Sequence, residues 1–373
     1  MSSLDEKTQA GMALHPTGQW RCIQEIPEAV ELFLKGEAGQ RAIAAGQEIA
    51  KRCINRAYFF GSGTSHFAAT AGAYAMIELA GIDADYYEAF ELLKYRMGGP
   101  MDHIAAVGCS HSGGTAVTVE AQALARKSGA LSIAMTDIVD SPLAKYGEFV
   151  IDSGSGNEPV GAKTRSFVTT VVQEYLMAAA VRDDKAAIEE LNRLPGLLKD
   201  ALALEEQCKE LAVKHAHCKN IFIVGGGPAW VNAQELALKF KECAPGHAEG
   251  MEVEDALHGP LAMLQPGVLV VGISTPGPSY DKVADVMKVA AACGCSVVSI
   301  SDVPHRIENV DNIKAPFRGI RELFAVPLLA VPMYMFMYFS VLARGSNPDA
   351  YRKEDEAYRK ARASIAPVHY SLN

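Results

Sequence analysis

No CxxC pair occurs among the eight cysteines of this chain, and only Cys293 and Cys295 stand close together. That scatter excludes the common zinc frameworks and fits reduced thiols, so a cytoplasmic setting is expected. Positive charge is scarce too. The formal net charge is −9 over 373 residues, and neither a basic stripe nor a helix-turn-helix segment is present, which argues against a nucleic-acid binder. A protein with this balance holds an anion through local N–H groups, hydroxyls and a few cations. The opening Met1-Ser-Ser-Leu-Asp-Glu6 lacks a basic stretch followed by an apolar run, so no secretory signal is expected. Among the long uncharged runs, one is apolar almost throughout. Leu323 to Ala343 is long enough to cross a bilayer, yet it holds Pro327 and Pro332 and follows soluble α/β units, so a buried helix is expected there. A third glycine is absent from both Gly61-x-Gly63-x-x-His66 and Gly225-x-Gly227-x-x-Trp230, which removes the close helix–strand packing of a dinucleotide site.

What is present is a repeat. Tyr58-Phe-Phe-Gly-Ser-Gly-Thr-Ser65 matches Phe222-Ile-Val-Gly-Gly-Gly-Pro-Ala229, and Val107-Gly-Cys-Ser-His-Ser-Gly-Gly114 matches Val271-Gly-Ile-Ser-Thr-Pro-Gly-Pro278, both at an offset of 164 residues. Ser132-Ile-Ala-Met-Thr-Asp137 and Val297-Val-Ser-Ile-Ser-Asp302 make a third pair, one residue further apart. Three strand-to-loop junctions in one order imply two copies of one α/β unit. The first copy offers Ser65, Ser110, Ser112 and Thr115 where the second has Ala229, Ser274, Pro276 and Ser279. Glycines let a backbone approach a ligand, and free N–H groups at a helix start favour an anion. Gly63, Thr64, Ser65, Ser110, His111, Ser112 and Thr115 are therefore candidate phosphate-binding residues. Each loop taken alone also fits a tight turn whose Ser or Thr caps the next helix.

Strands are expected at Ala57–Phe60, near Ala84–Tyr87, and at Ile104–Gly108, Leu131–Thr136 and Phe149–Asp152, with helices at Ser65–Ala80, Thr115–Lys127 and Thr164–Val181. The second copy repeats this with strands at Ile221–Val224, Leu269–Ser274 and Ser296–Ser301 and helices at Ala229–Cys243 and Tyr280–Ala292. Such alternation predicts two tandem, doubly wound parallel sheets of flavodoxin-like type, with ligands beyond the carboxyl ends of the strands. Residues 1–22 are expected to be flexible. The first unit, with lead-in helices, takes 23–200, the second takes 201–345, and 346–373 form a tail over the active site.

Glu235, Lys239 and Glu242 share one face of the Ala229–Cys243 helix. By itself that pattern reads as a solvated face with a favourable ion pair. His247-Ala-Glu249 and His258-Gly-Pro260 follow. A carboxylate and a histidine near a phosphate loop suit proton transfer on a sugar. His247, Glu249 and His258 fit no helix-borne ligand spacing, so no metal is expected. His215 and His217 read as surface residues.

These motifs together resemble the double SIS (sugar isomerase) domain proteins of the phosphosugar isomerase/deglycase group. The likeness runs from about Ile23 to Asp349, beginning with Ile23-Gln-Glu-Ile-Pro-Glu-Ala29. Gly61-Ser-Gly-Thr-Ser65 and Ser110-His-Ser-Gly-Gly-Thr115 are similar to the family's two phosphate loops. Leu238-Lys-Phe-Lys-Glu242, His247-Ala-Glu249 and His258-Gly-Pro260 resemble the isomerase domain of glucosamine-6-phosphate synthase. The resemblance implies that Ser65, Ser110, Ser112 and Thr115 bind phosphate, that Glu242 shuttles a proton between C1 and C2, and that His258 assists ring opening. It implies Lys239 as a site lysine and a homodimer in which that histidine reaches the neighbouring subunit's site.

The departures from the family pattern carry information. No glutaminase domain is seen, so the chain is not expected to make ammonia from glutamine. Counting from Arg352, itself a candidate substrate contact, the synthase's Schiff-base lysine falls on Glu356, with Lys353 and Lys360 near by. Glu158-Pro-Val-Gly-Ala-Lys163-Thr-Arg165 resembles a family loop, with Lys163 where a sugar-contacting serine is usual; this places a cation near the substrate. Pro266-Gly-Val268, Val331-Pro-Met333 and Asn347-Pro-Asp349 are similar to the fructosamine-6-phosphate deglycases. The resemblance therefore implies a cofactor-free deglycase that converts a 6-phosphorylated Amadori compound to glucose 6-phosphate and an amine. Alternatives are a glucosamine-6-phosphate deaminase or isomerase, and a non-catalytic sugar-phosphate sensor.

Overall fold

The computed structural model describes residues 5–365 except 245 and 318. Two compact units divide the chain: a first unit of 26–158 and 165–195, and a second of 196–364 joined by 1–25 and 159–164.

The first unit is built on strands β1 (Arg56–Gly61), β2 (Asp83–Glu88), β3 (Ile104–Cys109), β4 (Leu131–Met135) and β5 (Phe149–Ile151), all parallel in the order β2-β1-β3-β4-β5. Every residue of β3 and β4 is buried, as parallel strands covered on both faces require. β2 lies at the edge and only its Ala84 is buried, which suits a strand with one unpaired side. The Arg165–Val181 helix is buried except at Thr170 and Val181 and packs against the Glu37–Lys51 and Thr64–Ala75 helices. Its Glu174 is wholly buried and accepts from Cys109 Sγ at 3.3 Å. Burial pushes that carboxyl well above the usual range.

The second unit repeats the plan with β6 (Asn220–Gly225), β7 (His247–Glu252), β8 (Val268–Ile273), β9 (Ser296–Ser301) and β10 (Asp311–Lys314), in the order β10-β9-β8-β6-β7. Read from β7, this is the 2-1-3-4-5 permutation of the first sheet, so the duplication extends to topology. β7 and β10 were not expected from the sequence. Both are edge strands with few buried positions, Ile313 alone in β10.

The uncharged run forms the Ala325–Ala343 helix, and every residue in it is buried. By length and composition Glu322–Ala343 could cross a membrane, yet it is a core helix here. The Glu6–Met12, Gly18–Gln24, Glu205–Lys214 and Pro228–Cys243 helices pack around it.

The N-terminal segment departs from the flexibility expected of it. Residues Glu6–Met12 and Gly18–Gln24 are helical. Thr8 Oγ1 donates to the Ala343 carbonyl at 2.9 Å, and Trp20 is buried against Tyr338 and Phe339. The Gly18–Gln24 helix has no cap of its own. Asp349 supplies one from far along the chain, accepting from Gly18 N at 2.7 Å, Gln19 N at 2.8 Å and Thr17 Oγ1 at 3.0 Å. Such distant partners leave no local trace in sequence. His215 is also not a surface residue: it is 5% exposed and bonds Asp311 at 2.7 Å.

Candidate active site

In the first unit both glycine loops lie at the carboxyl ends of their strands, β1 and β3. Gly61 must be glycine, since a Cβ there would fall 2.7 Å from the Ser65 backbone. Gly225 is constrained in the same way by Ala229, at 2.5 Å. Gly63 precedes the Thr64–Ala75 helix at φ 59°, ψ −129°, and Gly227 precedes the Pro228–Cys243 helix at φ 54°, ψ −134°. That conformation is open to glycine and strained for other residues. It leaves both helix starts without a side-chain cap.

Capping does not explain the hydroxyls. Thr115 stands at the N-cap of the Ala116–Lys127 helix but makes no side-chain capping bond. Its Oγ1 instead meets Ser110 Oγ at 3.1 Å. Ser112 Oγ accepts from Gly114 N at 3.3 Å. Two uncapped helix starts, with Thr64 and Ser65 opening one and the Ser110–Thr115 loop leading into the other, offer neutral donors to an anion.

His111 is different. Its Nδ1 bonds Asp137 Oδ2 at 2.9 Å, and its Nε2 lies 3.0 Å from Asn157 Oδ1 and 3.1 Å from Glu158 N. Burial would raise the Asp137 carboxyl, but the bonds from His111 and Ser153 hold it below the usual range. With both ring nitrogens engaged inside the protein, the His111 side chain braces the loop.

The second copy keeps the turns and closes them. Ser274 Oγ pairs with His305 Nε2 at 2.8 Å, and Ser279 Oγ donates to the Gly226 carbonyl at 3.2 Å. Burial lowers His305 to about 4, so its ring is neutral. The Glu322 carboxylate lies over Gly277, where a Cβ would come within 2.5 Å of it. A carboxylate at this place repels an anionic ligand.

The charged helix face is buried, not solvated. Glu235 and Lys239 are 0% exposed and stand 3.5 Å apart, while the Glu242 side chain keeps 16% exposure. Lys239 Nζ makes a short contact with Glu242 Oε2, and Tyr334 donates to Glu235 Oε1 at 2.9 Å. Burial opposes the lysine charge, but Glu235 and Glu242 more than offset it and raise its pKa. Tyr351 donates to Glu242 Oε1 at 3.4 Å. The arrangement delivers one carboxylate to an accessible position, fixed at both oxygens. The sequence reading did not find Tyr334 or Tyr351: one hides in the uncharged run, and the other has no local signature.

The remaining candidates have partners of their own. His258 is exposed and bonds the Glu254 carbonyl at 2.7 Å through Nδ1. Arg352 stacks over Tyr358 at 4.5 Å and pairs with Asp355 at 2.5 Å. Lys163 belongs to the second unit, as Glu242 does, and donates to the Val160 carbonyl of its own loop at 2.8 Å. Gly161 of that loop abuts the Tyr351 ring, 3.0 Å from a would-be Cβ. His247 and Glu249 are edge-strand residues, and no metal-holding cluster occurs among the described residues. Of the expected tail, Tyr351 bonds Glu242, and residues 366–373 lie outside the described residues.

A family model for the SIS domain matches residues 52–181 and 215–307. The glutamine–fructose-6-phosphate aminotransferase [isomerizing] of Methanothermobacter thermautotrophicus is 32% identical over 330 residues, covering 88% of this chain and 55% of the relative. The chain spans about half the length of the curated relatives it matches. A candidate phosphosugar isomerase from Silicibacter pomeroyi superposes with a TM-score of 0.80 at 26% identity, covering 89% of this chain and 100% of the other. The C-terminal domain of glucosamine-fructose-6-phosphate aminotransferase from Francisella tularensis also gives 0.80, at 21% identity, covering 90% and 98%. That last likeness is one of fold.

Proposed function

The chain belongs to the SIS domain family, and from that premise we propose that it is an amino-sugar-phosphate deglycase. The substrate is a 6-phosphorylated Amadori compound, a 1-amino-1-deoxyfructose 6-phosphate. The hydroxyl loops at Gly61–Ser65 and Ser110–Thr115 take its phosphate, and Glu242 moves the proton.

Glu242 removes a proton from C1. The electron pair forms the C1–C2 double bond as the C2 carbonyl oxygen takes up a proton, giving an enaminol. Glu242 returns the proton at C2, and the nitrogen lone pair makes an imine at C1. Water adds to that carbon, the C–N bond breaks, and glucose 6-phosphate and a free amine leave. Acid–base help of this kind contributes about 10²–10⁴-fold.

The observation that carries this reading is the exposed end of a buried charged row: Glu242 alone of Glu235, Lys239 and Glu242 reaches solvent. A second feature supports a deglycase over a synthase. Glu356, at the place of the synthase lysine, pairs with Lys360 at 2.7 Å on an exposed helix. A substrate whose own nitrogen already sits on C1 needs no enzyme amine to form its imine. In the same reading the exposed His258 serves ring opening in a second copy's site, which makes the enzyme a homodimer, and the cytoplasm is its setting.

The test is a product assay. The protein is offered 6-phospho-fructosyl amino acids and, separately, glucosamine 6-phosphate, and each hexose phosphate is measured with a coupled dehydrogenase. Glucose 6-phosphate from the first substrate alone is the expected result. Fructose 6-phosphate and ammonia from the second would make the protein a deaminase instead. No product from either would favour a sensor.

A further inference from the structure

The second unit has a cavity of about 1100 Å³ at the opposite end of its sheet from its own glycine loop at Gly225. Asn220 and His247, the first residues of β6 and β7, line it. It therefore lies at the amino end of the sheet, one strand length from the carboxyl-end loop that starts at Gly225, or roughly 17 Å.

Its charge is opposite to that of the protein. Among the described lining residues Lys7, Lys214, Lys219 and Arg344 carry fixed positive charge and only Asp5 is acidic, in a chain of net charge −9. Asp5 is committed to capping its own helix, accepting from Thr8 N at 2.7 Å. Lys214 is held by Asp311 at 2.7 Å, which leaves three cations for the cavity.

Arg344 is the telling member. Its Nε and Nη2 are buried without a hydrogen-bond partner, and its guanidinium lies 5.6 Å from the Phe240 ring centroid. Burial lowers its pKa. Cations near helix C-termini are ordinary, since the free carbonyls there are partly negative, and the Glu205–Lys214, Pro228–Cys243 and Ala325–Ala343 helices all end at this cavity. That account fails for Arg344, because those two nitrogens reach no carbonyl. A buried charged donor without an acceptor is costly, and an anion relieves the cost.

We propose that this cavity is a binding site for a compact polyanion of the phosphate class, held by Arg344, Lys7 and Lys219. Ala244 lines it two residues after Glu242, so a bound anion touches the segment that follows the proton-transferring carboxylate. The site stands independently of the deglycase reading.

The experiment is calorimetric titration of the full chain with inorganic pyrophosphate at low ionic strength. Saturable binding is expected, weakened about tenfold or more in Lys7→Ala/Lys219→Ala and in Arg344→Gln. Lys7 and Lys219 are exposed, so the double lysine variant decides the matter should Arg344→Gln fail to fold. No saturable binding by the wild type would overturn the proposal. So would binding that survives the lysine variant and is lost in Thr115→Val, which would assign the anion to the glycine loops.

Discussion

Tyr351 donates its hydroxyl to Glu242 Oε1 at 3.4 Å while Lys239 holds Oε2. A residue from beyond the last core helix thus completes the setting of a carboxylate 109 positions earlier. Burial raises the Tyr351 hydroxyl, and the nearby Glu242 charge adds to that, so it remains a donor at neutral pH.

Glu242→Gln keeps the shape and removes the base. Turnover is expected to fall by about 10²–10⁴-fold with substrate affinity nearly unchanged. Exchange of the C1 proton with deuterated solvent reads this directly. Exchange within about tenfold of wild type would remove Glu242 from the role of base.

Lys239→Met leaves Glu235 and Glu242 facing one another with no cation. A buried pair broken at one partner typically costs about 3–5 kcal/mol, so a large drop in Tm is expected. Adding Glu235→Gln to that variant should restore a substantial part of the loss, because the unpaired buried charge is gone. Equal melting of the single and double variants would show that the cluster is not coupled.

Ser112→Ala and Thr115→Val each remove a hydroxyl from the first-copy loops. KM for the phosphorylated substrate should rise roughly fivefold to tenfold in each, with little change in Tm. Ser279→Ala, at the matching place in the second copy, should leave KM unaltered. A KM effect from Ser279 equal to that from Thr115 would contradict the assignment of the anion to the first copy.

Glu174 gives the stability a pH dependence. An unfolded glutamate titrates near 4.3, and burial raises the folded value well above the usual carboxyl range. Below the unfolded value both states hold the proton. Above it the unfolded chain ionises while the folded chain stays neutral, so this group's stability is lost as pH rises through that window. Glu174→Gln should therefore flatten the fall in Tm between about pH 5 and pH 8. An unchanged slope would mean that Glu174 is ionised in the fold.

Asp349→Ala removes the acceptor shared by Thr17, Gly18 and Gln19. A lost N-cap costs about 1–2 kcal/mol. Amide exchange in the Gly18–Gln24 helix should accelerate, and exchange in the β1–β5 sheet should not. Uniform acceleration everywhere would show that Asp349 acts through the whole molecule.

Much of this was readable in the chain. The central strands are apolar on both faces, so β3, β4 and β8 stand out, and the glycine junctions mark where each ends. β7 and β10 were hidden because an edge strand needs only one packed side. The hydroxyl loops were legible since Ser65, Ser112 and Thr115 have no counterparts in kind at Ala229, Pro276 and the inward-bonded Ser279. The Glu235–Lys239–Glu242 face was misread on local grounds. Its burial comes from Tyr334 and Tyr351, about a hundred residues away, and no helical period reports that. The partners of the His111 ring, Asp137, Asn157 and Glu158, were hidden for the same reason, being remote in sequence.

The second unit is assembled from three stretches of chain, 1–25, 159–164 and 196–364, while the first takes what lies between them. The ancestral copies are therefore no longer interchangeable parts. A gene cut at residue 195 would yield a downstream product lacking the two helices that pack on Ala325–Ala343, and with Asp349 deprived of the helix it caps. It would also lose the Gly161 loop against which Tyr351 rests. Inheritance of the two halves is locked together, and recombination can exchange this protein only whole.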